Sequence, residues 1–239
     1  RLGQVTVTDD AEGDVTDGAD ATGVTMAEVE AAAATLTGDI DQVPSAVSAI
    51  KVDGQRSYAR VRAGQDVELA ARPVHVARLE VANLRPATDL TGAATAELAG
   101  AVDVDLAATV SSGTYVRALA RDLGDRLGVG GHLTMLRRTR VGSFTLGSAH
   151  PLERVSAAVI HGAELPVIPL AEAATAAFPV RALRQEEAWK VARGQRIPSA
   201  EPGRSGPVAA VDEAGTLVAL LDESRATARS LVVFAPASS

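Results

Sequence analysis

Residues 102–124 read VDVDLAATVSSGTYVRALARDLG, and two periodicities meet in them. Val102, Val104, Leu106, Ala108 and Val110 alternate, the period-two pattern of a half-buried strand. Ser111-Ser112-Gly113-Thr114 breaks that pattern. Val116, Leu119, Ala120, Leu123 and Leu127 then recur at helical spacing, with Gly128 beyond the predicted helix end. Elsewhere strands and helices do not alternate regularly. The expectation is an α+β fold, a mixed or antiparallel sheet with flanking helices, rather than a doubly wound one.

Working outward, residues 2–8 read as a strand and the acidic run 9–14 as a turn. Thr25 and Glu28 form a capping box ahead of Val29, Ala32, Ala33 and Leu36, and Gly38 is expected to end that helix. Residues 57–63 predict a short helix ending at Gly64. Val74, Val76, Leu79 and Val81 predict an extended segment with an irregularity, and 85–100 a turn-rich connection. The tail predicts a helix over 184–193 with Trp189 in the core, a loop at 201–207, and strands at 208–211, 216–221 and 230–235. Two domains are expected, a larger one over 1–176 and a small, mostly β one over 177–239.

Composition narrows the chemistry. The chain has no cysteine, which excludes disulfides, thiolate metal sites and Cys nucleophiles. Its four histidines are scattered without ligand spacing. No run approaches the roughly 18 apolar residues of a membrane span. A cytosolic protein without metal or cofactor is expected. Net charge is −7, but it is placed unevenly. Residues 1–42 carry −9 and 86–110 carry −4, whereas 43–85 carry +3 and 111–144 carry +4. Two basic blocks in an acidic chain fit a local phosphate-binding face, and they fit ordinary solvated surface as well.

Three segments carry candidate chemistry. In the first, Tyr115 and Arg117 fall at the start of the helix predicted after residue 114. Arg is locally unfavourable there because that end of the helix dipole is positive, so Arg117 calls for a carboxylate or phosphate partner. Tyr115 offers a flat face for a base. Further along, Arg121–Asp125 and Asp122–Arg126 are spaced for (i, i+4) ion pairs. The second segment, 130–144, sets Arg137, Arg138 and Arg140 among Leu133, Leu136 and Val141; arginine forks suit phosphate oxygens. The third, 42–64, surrounds Tyr58 with Lys51, Arg56, Arg60 and Arg62, a basic surface with one aromatic.

Together these segments resemble the TruB family of tRNA pseudouridine synthases, in its stand-alone bacterial branch and actinobacterial in character. The resemblance rests on Gln42-x-Pro44, Ser48-Ala49-x-Lys51-Val52-x-Gly54-x-Arg56-x-Tyr58, Arg62-x-Gly64 and Arg72-x-Val74. It continues through Ser112-Gly-Thr-Tyr-Val-Arg117-x-Leu-Ala-x-Asp122-Leu-Gly124, His132-Leu133 and Leu136-Arg137-Arg138. The blocks keep the family's order and spacing over residues 1–145, and the tail is similar to a small PUA-like RNA-binding domain.

The resemblance implies isomerisation of a uridine in the tRNA T loop after the base leaves its stack, without cofactor, metal or obligate protein partner. Arg117 would orient a catalytic Asp, and Tyr115 would contact the flipped base. Leu136 would form part of an apolar wall, and Lys51, Arg56, Arg137 and Arg138 would meet the RNA. One departure is large. The family's Asp lies in Gly-x-Leu-Asp-Pro-x-Ala-x-Gly, upstream of the strand that begins at Arg1. The expectation is therefore a chain without its nucleophile, inactive alone, whose Arg117 faces an acid that the chain does not itself contain. An open sheet edge is expected with it. Asp20-Ala-Thr-Gly-Val24 mimics the motif's end but lacks Leu-Asp-Pro, so neither Asp17 nor Asp20 is assigned catalysis. The main rival is a non-catalytic RNA-binding or tRNA-folding module on the same surface; an interaction domain unrelated to RNA is a third reading.

Overall fold

The computed structural model describes residues 1–45, 51–52, 55–56, 69–89 and 96–234. They fall into two compact units, Arg1–Arg137 and Arg138–Ser239. In the first, strands β1 (Val5–Thr6) and β2 (Val15–Asp17) form a hairpin around the acidic turn. Helix α1 (Met26–Ala34) follows, then β3 (Gly38–Gln42), the short pair β4 (Lys51–Val52) and β5 (Gln55–Arg56), the long β6 (Arg72–Pro86), β7 (Val102–Val110) and helix α2 (Val116–Leu127). The main sheet is antiparallel in the order β3-β6-β7.

Thr25 caps α1 as its sequence requires. Its hydroxyl accepts the Glu28 N–H, and the Glu28 carboxylate accepts the Thr25 N–H at 2.8 Å. Val29, Ala32, Ala33 and Leu36 are buried, and with Leu2, Ala21, Val102, Leu123 and Val129 they form the core between α1, α2 and the sheet. The helix stops earlier than expected. Thr35 is its C-cap, its hydroxyl bonding back to the Ala32 carbonyl at 2.7 Å, and Gly38 opens β3 instead.

The irregularity expected in β6 is two register shifts, at Val76/Arg78 and Ala82/Arg85. Each changes which parity faces the core: Val74 and Val76 are buried, Leu79 and Val81 pack inward next, then Leu84. Asn83 adopts φ +54 at the second shift, a conformation Asn tolerates better than most residues. Among the described residues, the outer edge of β7 carries only the bridge between Leu2 and Val102.

In the second unit, β8 (Arg140–Val141) and β9 (Phe144–Thr145) form a hairpin. Helices α3 (Leu152–Ile160) and α4 (Leu170–Ala177) precede β10 (Val180–Ala182), and helix α5 (Gln185–Ala192) follows it. Strands β11 (Ile197–Pro198), β12 (Pro207–Val211), β13 (Leu217–Asp222) and β14 (Thr227–Val233) complete the unit. Its sheet runs β10-β12-β13-β14-β11, with β10 and β12 parallel and the other pairs antiparallel. This sheet lies within residues 177–239, although the compact unit containing it begins at Arg138. Leu183, Val191, Ile197, Val208, Val218 and Leu221 form its core. Trp189 does not join them. It is 51% exposed, with the Arg193 guanidinium 4.1 Å from its ring centre. The period of α5 turns Val191 inward and leaves the indole to a cation–π contact.

Helix α2 is held by a backbone crossing. Gly128 ends it at φ +72, and the chain turns back so that the Val129 and Gly130 N–H groups both donate to the Gly124 carbonyl at 3.1 Å. A Cβ on Gly124 would lie 2.2 Å from backbone atoms of Gly130 and Gly131. Alanine at a compatible glycine stabilises by roughly 0.4–1 kcal/mol. Here Gly124→Ala is expected to reverse that sign and cost about 2–3 kcal/mol, measured by urea unfolding followed by circular dichroism.

Candidate functional site

The α2 N-terminus is built without a side-chain cap of its own. Tyr115 is the N-cap residue, extended at φ −97 and ψ 102. Its backbone is capped instead from a distant strand. The Gln42 Oε1 accepts the Tyr115 N–H at 2.7 Å, and Gln42 Nε2 donates to the Tyr115 carbonyl at 3.0 Å. Gln42 ends β3 and is fully buried. The turn before Tyr115 is tied to β6 through Ser111, which exchanges bonds with His75 at 2.8 and 2.9 Å.

In the first turn of α2, Arg117 forms an ion pair with the Asp10 carboxylate. The sequence pattern names no acid within the chain for Arg117, and Asp10 is one. The acidic run is more than a solvated turn: it folds Asp10 back against the helix, where it offsets the electrostatic penalty of an arginine at a helix N-terminus. The Asp10 side chain is only 10% exposed. Its Oδ1 accepts the Thr8 hydroxyl at 2.6 Å and the Glu12 N–H at 3.0 Å, while Oδ2 meets Arg117. With both oxygens engaged and little solvent access, Asp10 is suited to orient Arg117 rather than to attack a sugar. Arg117 remains 40% exposed.

One turn further, Arg121 repeats the arrangement. It bonds Asp9 Oδ2 at 3.0 Å, Asp122 Oδ1 at 2.8 Å and the Val43 carbonyl at 2.7 Å. The (i, i+4) pairing with Asp125 is thus replaced by a tertiary pair with Asp9 and a bond to the adjacent Asp122; a buried acidic turn outcompetes an exposed helical neighbour. Asp9 sits at φ +56, and its carbonyl accepts the Leu133 N–H at 3.0 Å. Two successive aspartates therefore meet two arginines spaced one helical turn apart. Ser45 joins them, its hydroxyl reaching the Thr8 carbonyl at 3.3 Å.

The other candidate residues are placed as follows. Lys51 and Arg56 are opposite each other in the β4–β5 pair. Tyr58, Arg60 and Arg62, with the helix expected over 57–63, lie outside the described residues. Asp10 bridges Leu133, and Leu136 is three residues beyond, within roughly 10 Å of extended chain. Leu136 is 55% exposed, and Arg137 and Arg138 are exposed beside it. Asp20 accepts the Thr22 N–H and hydroxyl, and Asp17 accepts the Gly18 N–H, both serving local turns. His132 is buried, with Nδ1 3.2 Å from the Gln4 carbonyl, and burial lowers its pKa. Among the described residues no cluster of His, Asp and Glu could hold a metal ion, and no helix is long and apolar enough to cross a membrane.

Comparison with known proteins agrees with this architecture. Residues 1–116 match the family profile described as TruB family pseudouridylate synthase (N terminal domain). Residues 117–168 match the tRNA pseudouridylate synthase B C-terminal domain, and 178–235 match tRNA Pseudouridine synthase II, C terminal. Fold and profiles define the class as pseudouridine synthases. The tRNA pseudouridine synthase B of Arthrobacter sp. (strain FB24) is 48% identical over 246 residues, covering 100% of this chain and 75% of the relative. That of Rhodococcus jostii (strain RHA1) is 51% identical over 242 residues, covering 100% and 72%. The chain belongs to the TruB family. Among solved structures, a Cbf5-Nop10-Gar1 complex aligns with TM-score 0.62 at 20% identity, over 88% of this chain and 61% of that one. An H/ACA RNP bound to a substrate RNA containing 2'-deoxyuridine aligns with TM-score 0.59 at 18% identity, over 90% and 62%. These likenesses concern the fold.

Burial raises the Asp9 pKa above its ordinary 3.8, and Arg121 and the Ser45 hydroxyl oppose the rise. For an acid raised in this way, the stability it contributes is fully present below the unfolded value and is lost as pH rises through the native one. Arg121 limits that loss. Arg121→Ala is expected to cost about 2–3 kcal/mol at neutral pH, below the range for a fully buried pair because the arginine is partly solvated. In urea titrations the cost should shrink as pH falls toward about 3, where Asp9 is neutral.

Proposed function

We propose that this chain supplies the arginine and tyrosine side of a synthase centre that isomerises the T-loop uridine of tRNA to pseudouridine. The observation that carries the proposal is the Arg117–Asp10 pair at the entry of α2. Arg117 is 40% exposed, and a planar guanidinium fork suits a carboxylate, so its solvent face can meet an acid brought in from outside the chain. That second acid is the catalytic Asp of a Leu-Asp-Pro motif, which the 239 residues do not contain. Tyr115, whose backbone is fixed by Gln42, contacts the extruded base. Leu136 becomes an apolar wall once RNA covers it. Lys51, Arg56, Arg137 and Arg138 meet the phosphates, residues 1–176 are the catalytic remainder, and 177–239 are an accessory RNA-binding domain. The chemistry needs no cofactor or metal, and a tRNA substrate puts the protein in the cytoplasm.

A second reading on the same surface, resting on the exposed Arg137 and Arg138, is a module that binds and folds the T arm without chemistry. Both readings predict specific binding of a T-arm stem-loop in fluorescence anisotropy, stronger than that of an unrelated hairpin of equal length. With Arg137→Ala and Arg138→Ala together, affinity should fall and the slope of log K against log salt should flatten by about 2. In a tritium-release assay on 5-tritiated uridine, the 239-residue chain should show no turnover. Release by this chain would overturn the assignment of the nucleophile to a missing motif; equal binding of the two RNAs would overturn both readings.

A further inference from the structure

We infer that Gln42 is a positioning residue for base capture, acting through Tyr115 and Arg117; this rests on the reading of the site as a uridine-isomerising centre. Gln42 is fully buried, so it cannot itself touch RNA. Its amide spends its acceptor on the Tyr115 N–H and a donor on the Tyr115 carbonyl, a two-point clamp across 73 positions of sequence. A primary amide is the side-chain group that can pair with the N–H and the C=O of one residue at once. Serine or aspartate, the usual N-caps, would satisfy a donor and leave the carbonyl unaddressed.

The clamp falls where it has most leverage. The Tyr115 carbonyl also accepts the Leu119 N–H at 3.2 Å, so its orientation defines the first helical turn. Tyr115 has no capping bond from its own side chain, and the bonds that hold the preceding turn fall on Ser111 and Thr114 rather than on Tyr115. Arg117 lies two residues on. The chain after Gln42 is fastened again, since the Val43 carbonyl accepts from Arg121 on the next turn of the same helix. The end of β3 thus grips α2 at two successive turns, and Gln42 sets the direction from which the Tyr115 ring and the Arg117 guanidinium leave the backbone.

The test uses the whole chain and a T-arm stem-loop with 2-aminopurine beside the target uridine, whose fluorescence rises when its neighbour unstacks. Gln42→Met removes both bonds at nearly unchanged volume. Gln42→Glu keeps an acceptor for the Tyr115 N–H but opposes the Tyr115 carbonyl, and it is read in parallel should the Met variant fold poorly. Both should bind the stem-loop within about twofold of the unsubstituted chain yet lose about tenfold in the unstacking equilibrium, as expected for losing one or two buried hydrogen bonds at the site. Val29→Ala, a fully buried change in the core of α1, controls for general destabilisation and should keep the signal at a comparable loss of Tm. Retention of the signal in both Gln42 variants, or its equal loss in Val29→Ala, overturns the role of Gln42 alone. If the unsubstituted chain neither binds nor unstacks the T-arm uridine, the functional reading falls first.

Discussion

The first unit depends on charge neutralisation between one helix and one turn. Arg117 and Arg121 project from successive turns of α2, and the adjacent Asp10 and Asp9 meet them from the loop after β1. Separately, each partner would be a liability: an arginine at a helix N-terminus, and two aspartates withdrawn from water. Paired, they fix the angle between the hairpin and the helix, and the segments around them are built to that angle. Gln42 and Val43 attach the end of β3 to the same helix, and the Leu133 N–H attaches the returning chain to Asp9. Four stretches distant in sequence converge on two ion pairs.

The fold was legible where one physical signal dominated. The alternation in 102–110 and the capping box at Thr25 each had a strong local cause, and the elements lie where that cause put them. Gly38 resembles a helix stop, whereas Thr35 ends α1 through a local hydroxyl bond that composition does not reveal. The core position expected of Trp189 is held by Val191, which only the facing of α5 shows.

The site was half legible. Tyr115 and Arg117 stood out because a cation at a helix start is locally costly. Its partner did not, because an acidic run next to glycine reads as solvated turn until the third dimension brings it back. The clue was present in spacing: two arginines four apart and two contiguous acids make complementary pairs that only a tertiary contact can align. Gln42 belonged to a motif without a chemical role, since an amide carries no charge and its use of both ends on the backbone of one residue is invisible in sequence.

The lone indole of the chain, half-exposed on α5 under the Arg193 guanidinium, has an optical consequence. Tryptophan emission originates wholly in the Arg138–Ser239 unit, from a ring that water already reaches. Melting of the Arg1–Arg137 unit can pass unseen in that channel while the spectrum still looks native. Intensity or wavelength changes in it instead sense the cation stacked on the ring, and so the surface of α5.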